Sequence, residues 1–202
     1  KPSKAEVLRY DRKRKDKTVS NAEWKSEIDE DAKIARMKDG TTHLAYKAEH
    51  VVDLTHGVIL AAEIHHGNAA DTATLTQSLT KAQAHIEEAE IYQDIKKVAA
   101  DKGYHKAETL AACEDVGLFG VKTYIPEPEA RYERRWTDKP ASHQQAVYNN
   151  RRRTSRDYGK RLQRRRSEVV ERTFAHVCDT GGARRSWLRG IVEVSKRYLL
   201  QA

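Results

Sequence analysis

The feature that most constrains the fold is a stretch of alternating residues that begins near residue 41, "THLAYKAEHVVDLTHGVILAAEIHHG". β-branched residues stand on both sides of "DLTHG", and Gly57 supplies the backbone conformation that a tight turn needs. We predict a β-hairpin with strands near 42–52 and 57–65. The fold therefore contains at least one antiparallel pair of strands.

Helices and short strands alternate after the hairpin. Asp71 is the predicted N-cap of a helix near 71–88. A short strand then ends at Asp101, a helix in "KAETLAACEDVGLFG" is stopped by Gly117, and "VKTYIPEP" forms a strand that prolines end. The predicted core face of the first helix carries Leu75, Leu79, Ala82 and Ile86. This order of elements predicts the α/β class, with a layered mixed sheet, one antiparallel hairpin and flanking helices.

Two segments of the chain, one at its beginning and one in its last third, are rich in charge. Residues 1–40 show no lasting periodicity and are predicted to be a charged arm or linker, which leaves residues 41–202 as the folded domain. Residues 151–166, "RRRTSRDYGKRLQRRR", carry eight Arg and one Lys against one Asp. We predict one long basic helical stretch over residues 151–177 and a last helix near 190–200.

Charge and hydropathy limit the partners. A net charge of +8 and a sequence pI of about 9.4 favour an anionic partner such as nucleic acid. No apolar run approaches a membrane span and no signal sequence opens the chain, so we expect no membrane partner and a cytoplasmic location. The two cysteines lack CxxC spacing and indicate reduced thiols. Because the first residue is Lys rather than Met, we expect the chain to begin inside a longer reading frame.

Several segments together carry a resemblance to a known family. They are "DGTTHLAYKAEHVVDLTHG", "NAADTATL", "VAADKGYH", "YIPEP" and "VVERTFAH", in this order. From about Asp29 to its end, the chain resembles the C-terminal part of the catalytic domain of bacterial insertion-sequence DDE transposases. The resemblance implies a partial RNase H-like domain that lacks the first central strand. It also implies transposition by metal-dependent cleavage and strand transfer at transposon ends, with Mg²⁺ or Mn²⁺, double-stranded DNA as partner and a homodimer as one form of the intact protein.

The same resemblance assigns two catalytic acids as metal ligands. The family's second acid stands in a motif like "DKGY", which makes it Asp101, and its third stands in a motif like "VER-x-F", which makes it Glu171. Carboxylates that converge at one sheet edge can hold two Mg²⁺ ions roughly 3.5–4 Å apart. Gly103 is expected to leave room for a nucleotide. Glu168 shares the helix face of Glu171, so either acid could reach the site.

The family's first acid is expected upstream of Lys1. Asp53 falls at the hairpin turn, where Asp is common. The other upstream acids, interpreted as loop or cap residues, are Asp29, Asp31 and Asp71. We therefore expect the chain alone to be inactive, and poorly stable because loss of a central strand leaves its neighbours with unpaired backbone groups.

The basic stretch supplies the predicted DNA contacts. Arginine binds phosphate bidentately, and nine positive charges in sixteen residues favour counterion release. The arginines assigned to DNA are Arg151, Arg152, Arg153, Arg164, Arg165 and Arg166. An alternative function of another class stays open, in which the chain is a non-catalytic basic protein that binds DNA or RNA through this stretch.

Overall fold

The computed structural model describes residues 3–15, 25–37, 40–129 and 134–202. The helices in these ranges are α1 (Lys4–Lys13), α2 (Asp71–Glu88), α3 (Ala107–Glu114), α4 (Ala141–Ser155), α5 (Asp157–Ala175) and α6 (Ile191–Leu199). The strands are β1 (Lys33–Arg36), β2 (Thr42–Val52), β3 (Ile59–His66), β4 (Lys97–Ala99) and β5 (Lys122–Tyr124). A 3₁₀ turn covers Lys102–Tyr104, and a π-helical turn covers His176–Thr180. None of the described helices combines the length and apolar character needed to cross a bilayer.

The predicted hairpin is formed by β2 and β3, which pair antiparallel. Gly57 has a φ of 77°, and its N–H donates to the carbonyl of Asp53 at 2.8 Å. The Asp53 carboxylate accepts the backbone N–H groups of Thr55 and His56 at 3.1 and 3.0 Å. Asp53 is therefore a turn residue, and both strands lie close to their predicted bounds.

Two elements lie within the predicted charged arm. Helix α1 begins at a capping box in which Ser3 and Glu6 satisfy each other's backbone N–H groups. Strand β1 pairs antiparallel with the first residues of β2, from Lys33 opposite Ala45 to Arg36 opposite Thr42. Residues 16–24 of the arm lie outside the described residues. The domain boundary at residue 40 stays a prediction.

The second sheet consists of β4 and β5, which pair in parallel and are joined through α3. The described strands thus form two sheets, β1-β2-β3 and β4-β5, instead of the single mixed sheet we predicted. No described strand pairs with strands of both sheets. Helix α3 ends at Glu114 and not at Gly117. Asp115 leaves the helical conformation there, and its carboxylate accepts the N–H of Gly117 at 2.8 Å.

The core lies where α2, α3 and α4 meet the second sheet. Leu75, Leu79 and Ala82 are buried on α2, as the helical spacing predicted. Leu75 and Leu79 pack with residues of the other elements, among which Leu110, Cys113, Ile125 and Val147 are fully buried. Asn150 ties α4 to the end of β5 because its side-chain amide exchanges two hydrogen bonds with the backbone of Ile125, at 2.9 and 2.7 Å.

The basic stretch is two helices and not the one long helix we predicted. The chain leaves the helical conformation at Arg156, between α4 and α5. Gly159 lies in the first turn of α5, where a Cβ would overlap the carbonyl of Arg153 in α4. The close approach of the two helix ends thus requires glycine. The last helix, α6, agrees with its prediction.

Candidate active site

Asp101 lies at the exposed rim of the second sheet. Strand β4 ends at Ala99, two residues before the predicted end, and Asp101 begins the 3₁₀ turn that follows. Its carboxylate accepts the N–H of Lys102 at 2.8 Å. The side chain is exposed, so a carboxylate oxygen remains accessible from solvent.

The turn after Asp101 is held against the first sheet by a charge pair. Asp71 forms an ion pair with Lys47 of β2, and a Cβ on Gly103 would overlap the Asp71 carboxylate. The space on the Cβ side of Gly103 is therefore filled by Asp71, and the prediction that Gly103 leaves room for a nucleotide stays a prediction. Asp71 is also not the N-cap of α2, because Ala70 occupies that position and makes no side-chain cap.

Tyr104 connects the same turn to the hairpin. The centroid of its ring lies 5.6 Å from the Lys47 ammonium of β2. Burial, together with the charges of Glu49 and Asp71, raises the pKa of Tyr104 far above its usual value. The phenol therefore stays neutral, and its contact with Lys47 links the turn to β2.

Two buried glutamates lie beneath this turn. Glu49 and Glu63 are direct cross-strand partners of β2 and β3, and they are 5% and 6% exposed. The hydroxyl of Ser78 on α2 lies 2.7 Å from a carboxylate oxygen of each. Thr74 donates to Glu49 at 2.6 Å, and Lys81 forms an ion pair with Glu63. We call Glu49, Glu63, Thr74, Ser78 and Lys81 the glutamate cluster.

The cluster is a charged network that sequence reasoning missed. Burial pushes the pKa of Glu63 upward, but hydrogen bonds from Lys81 and Ser78 outweigh it, so this pKa lies below its ordinary value. Ser78 has one hydroxyl proton, so it donates to one of the two carboxylates at a time. The available signal was the register of the hairpin, which places Glu49 opposite Glu63.

Glu171 lies on α5, which contacts both sheets. Gln163 donates from its side chain to the carbonyl of Ala100 at 3.2 Å, directly beside Asp101. Glu171 follows eight residues later, about 12 Å along the helix. It is exposed and has no hydrogen bond or ion pair with any described residue, whereas Glu168 pairs with Arg165 and Arg172 at 3.2 and 2.8 Å.

His50 fixes the end of α5 that carries Glu171. Its ring nitrogens lie 3.0 Å from the Thr173 hydroxyl and 2.8 Å from the Tyr198 hydroxyl, and its ring stacks on Phe174 at 4.1 Å. Burial lowers the pKa of His50 to about 4. A neutral imidazole therefore joins β2, α5 and α6 at neutral pH. Its position in an alternating strand gave no hint of this role.

Two of the predicted DNA-contacting arginines make internal contacts. Arg153 is largely buried, donates to the carbonyl of Thr123 at 2.9 Å and forms an ion pair with Glu114. Arg151 binds the Glu127 carboxylate through two nitrogens, at 2.9 and 2.8 Å. Both side chains thus tie α4 to the region around β5.

The other four arginines have weaker contacts or none. Arg165 donates to the carbonyl of Leu54 at 3.2 Å besides its pair with Glu168. Arg152 and Arg166 contact only neutral side-chain groups. Arg164 is exposed and has no hydrogen bond or ion pair within the described part of the chain. Among the six predicted DNA-contacting arginines, those without a carboxylate partner in the described part of the chain are Arg152, Arg164 and Arg166.

The acids do not form a complete metal centre by themselves. Among residues 3–15, 25–37, 40–129 and 134–202, no group of three or more His, Cys, Asp or Glu side chains is arranged to hold a metal ion. Asp29, Asp31, Asp53 and Asp71 all have structural partners. Asp101 and Glu171 are carboxylates of the kind that Mg²⁺ prefers, but the described residues do not complete their ligand set.

Gly103→Ala tests the packing of the Asp101 turn. We expect it to lower the free energy of unfolding by about 2 kcal/mol, because the new methyl group overlaps a paired carboxylate. Thermal or urea denaturation measures the loss. In an Asp71→Ala background the same change should cost much less, since the overlap is gone.

Gly117→Ala is the matched control, because its Cβ would meet only the Asp115 carboxylate at 3.2 Å. Equal losses in Gly103→Ala and Gly117→Ala, or an undiminished loss in the Asp71→Ala background, would contradict the packing.

Comparison with known proteins gives one family. The family model described as "Transposase DDE domain" matches residues 11–201. No curated protein and no solved structure gives a significant match.

Proposed function

The chain belongs to the transposase DDE domain family, and from this premise we propose that it serves DNA transposition by metal-dependent cleavage and strand transfer at transposon ends. The observation that carries the proposal is the exposed Asp101 carboxylate on a turn fixed by Asp71, Lys47 and Tyr104. A metal-ligating carboxylate needs this combination of access and fixed position. We also propose an RNase H-like fold for the domain.

Asp101 and Glu171 are the two carboxylates assigned to the metal centre, which takes Mg²⁺ or Mn²⁺. Glu171 is preferred to Glu168 because Glu168 is already neutralised by two arginines. Since the described residues bring no three metal-ligating side chains together, we expect no DNA cleavage by the chain alone with either metal. Gln163 and His50 keep α5 in place on the two sheets, so both act as positioning residues for Glu171.

The DNA partner is assigned to the arginines of α4 and α5 that lack a carboxylate partner in the described part of the chain, of which Arg152 and Arg164 are exposed and Arg166 is half-buried. Arg152, Arg164 and Arg166 have no carboxylate partner among the described residues, so they can release counterions when they bind phosphate. Arg165 contributes less because it shares its charge with Glu168. The pairs of Arg151 with Glu127 and of Arg153 with Glu114 assign those two arginines to the fold. A homodimer remains a proposed form of the intact protein.

The DNA interface is tested by the salt dependence of binding. Replacing Arg152, Arg164 and Arg166 together with alanine should reduce the slope of log Kd against log salt by about 2–3, since each lost phosphate contact removes about 0.9. Fluorescence anisotropy with a labelled duplex at several salt concentrations measures the slope.

Arg153→Ala is the matched control for this slope. This variant removes one positive charge from α4, but the charge it removes is paired with Glu114 inside the fold. We therefore expect a lower melting temperature and an almost unchanged slope of log Kd against log salt. If the triple variant kept the slope of the unaltered chain, the proposed interface would be wrong.

A second function is a non-catalytic basic protein that binds DNA or RNA. The observation that favours it is the lack of a complete metal centre among the described residues. The Asp101→Asn variant distinguishes the two functions. It should leave DNA binding intact in either case, but it should abolish transposition only if Asp101 is catalytic.

A further inference from the structure

An exposed tryptophan lies in a basic loop that the proposed DNA interface does not include. Trp187 is 77% exposed and belongs to the segment "GGARRSWLRG", residues 181–190. Exposing an indole to water forgoes the stabilisation that its burial would give. We call this segment the tryptophan loop.

The loop is anchored at both ends. Its first half is held by Arg197 of α6, which donates to the carbonyls of Gly182 and Arg185 at 3.2 and 2.7 Å. At its other end, the N–H of Gly190 donates to Asp29 at 3.2 Å and that of Ile191 donates to Asp31 at 2.9 Å. The exposed indole is thus presented by an ordered segment.

One face of the Trp187 indole is covered by a positively charged guanidinium group. The Arg197 guanidinium lies 3.7 Å from the centroid of the Trp187 ring, which is a close cation–π contact. The large exposed fraction leaves the other face open to solvent. A flat aromatic ligand can therefore stack on the open face while Arg197 supports the ring from behind.

Two arginines without a charge partner among the described residues flank Trp187 in the sequence. Arg185 and Arg189 are exposed, and their side chains form no hydrogen bond or ion pair with any described residue. Arg184 differs because Asp179 neutralises it, with one contact at 3.0 Å. Two exposed arginines, each two residues from an exposed indole, match a nucleotide, whose base stacks and whose phosphates bind arginine.

The open face of the Trp187 indole suits a base that is not paired within a duplex. Bases inside a duplex have both faces covered by their neighbours, whereas a base in a single strand or an extruded base exposes a face. We propose that Trp187, with Arg185 and Arg189, is a second DNA contact that stacks on an unpaired base. This inference rests on the proposed function, from which the choice of DNA as partner follows.

The test compares a blunt duplex with the same duplex extended by a short unpaired 3′ overhang. We expect the unaltered chain to bind the overhang substrate about tenfold more tightly than the blunt one. Trp187→Ala should lose this preference and keep its affinity for the blunt duplex, while Trp187→Phe should keep most of the preference because it retains a ring. Fluorescence anisotropy measures affinity, and thermal melts check that each variant is folded.

Arginine variants complete the test. Arg185→Ala combined with Arg189→Ala should weaken overhang binding several-fold, whereas Arg184→Ala is the matched control and should change it little. An unaltered chain that binds blunt duplex without an overhang preference overturns this inference alone. A chain that binds neither DNA overturns the proposed DNA interface as well. Trp187-dependent binding to anionic vesicles without an overhang preference also overturns the inference.

Discussion

Replacing Ser78 with alanine should lower the free energy of unfolding by about 3 kcal/mol, because it removes a hydrogen-bond donor shared by two buried carboxylates. Glu49 and Glu63 would then face each other across the hairpin without the hydroxyl between them. Like charges directly opposite on neighbouring strands destabilise a sheet. Urea denaturation at neutral pH, with the unaltered chain alongside, measures the loss.

The loss should depend on pH in a defined direction. The pKa of Glu63 is lowered in the folded state, so its stabilising contribution is fully present above its ordinary pKa of 4.5 and is lost as pH falls through the folded value. Ser78 is one of the groups that lower this pKa. The difference between the Ser78→Ala variant and the unaltered chain should therefore be largest near neutral pH and shrink below pH 4.5.

Thr80→Ala is the control, since it removes a hydroxyl from the exposed face of the same helix. We expect it to change the free energy of unfolding by less than about 0.5 kcal/mol. Equal effects of Ser78→Ala and Thr80→Ala, or a Ser78→Ala loss that grows as the solution is acidified, would show that the hydroxyl does not support the glutamates.

The elements predicted well are those whose signal is local. The hairpin follows from alternation and from the need for a positive φ at Gly57. Helix α2 follows from apolar residues at helical spacing, which the structure buries as Leu75, Leu79 and Ala82. In both cases a few neighbouring residues determine the conformation, so no knowledge of distant contacts is needed.

The errors come from contacts between distant parts of the chain. The break at Arg156 has no proline beside it and depends on the packing of Gly159 against α4. Asp71 fits a helix cap by its position in the sequence, but Lys47 of β2 attracts its carboxylate. Arg153 and Arg164 are alike in sequence, yet only Arg153 meets a carboxylate in the fold.

The candidate site was predicted in part for the same reason. Asp101 follows a short strand, and the family resemblance suffices to select it. The glutamate cluster was missed because charged residues in a basic chain are expected at the surface, and only the cross-strand register and α2 together bury Glu49 and Glu63. Buried residues that hold a candidate site in place are thus harder to predict from sequence than an exposed acid within a sequence motif.

Asp101→Asn and Glu171→Gln should each reduce transposition about 10³-fold or more, because each removes a carboxylate charge assigned to the metal centre, worth several kcal/mol in the transition state. The measurement is the transposition frequency of a marked element whose transposase carries this chain. Both variants should keep the duplex affinity and melting temperature of the unaltered protein, since the two acids are exposed and neither forms an ion pair with a described residue.

Glu168→Gln is the matched control on the same face of α5. Its carboxylate already pairs with Arg165 and Arg172, so we expect transposition to stay within about threefold of the unaltered level, the loss of exposed ion pairs being small. If Glu168→Gln abolished transposition and Glu171→Gln did not, the third acid would be Glu168. Full activity of Asp101→Asn would instead favour the non-catalytic DNA-binding function, because a neutral amide cannot replace a carboxylate at a Mg²⁺ centre.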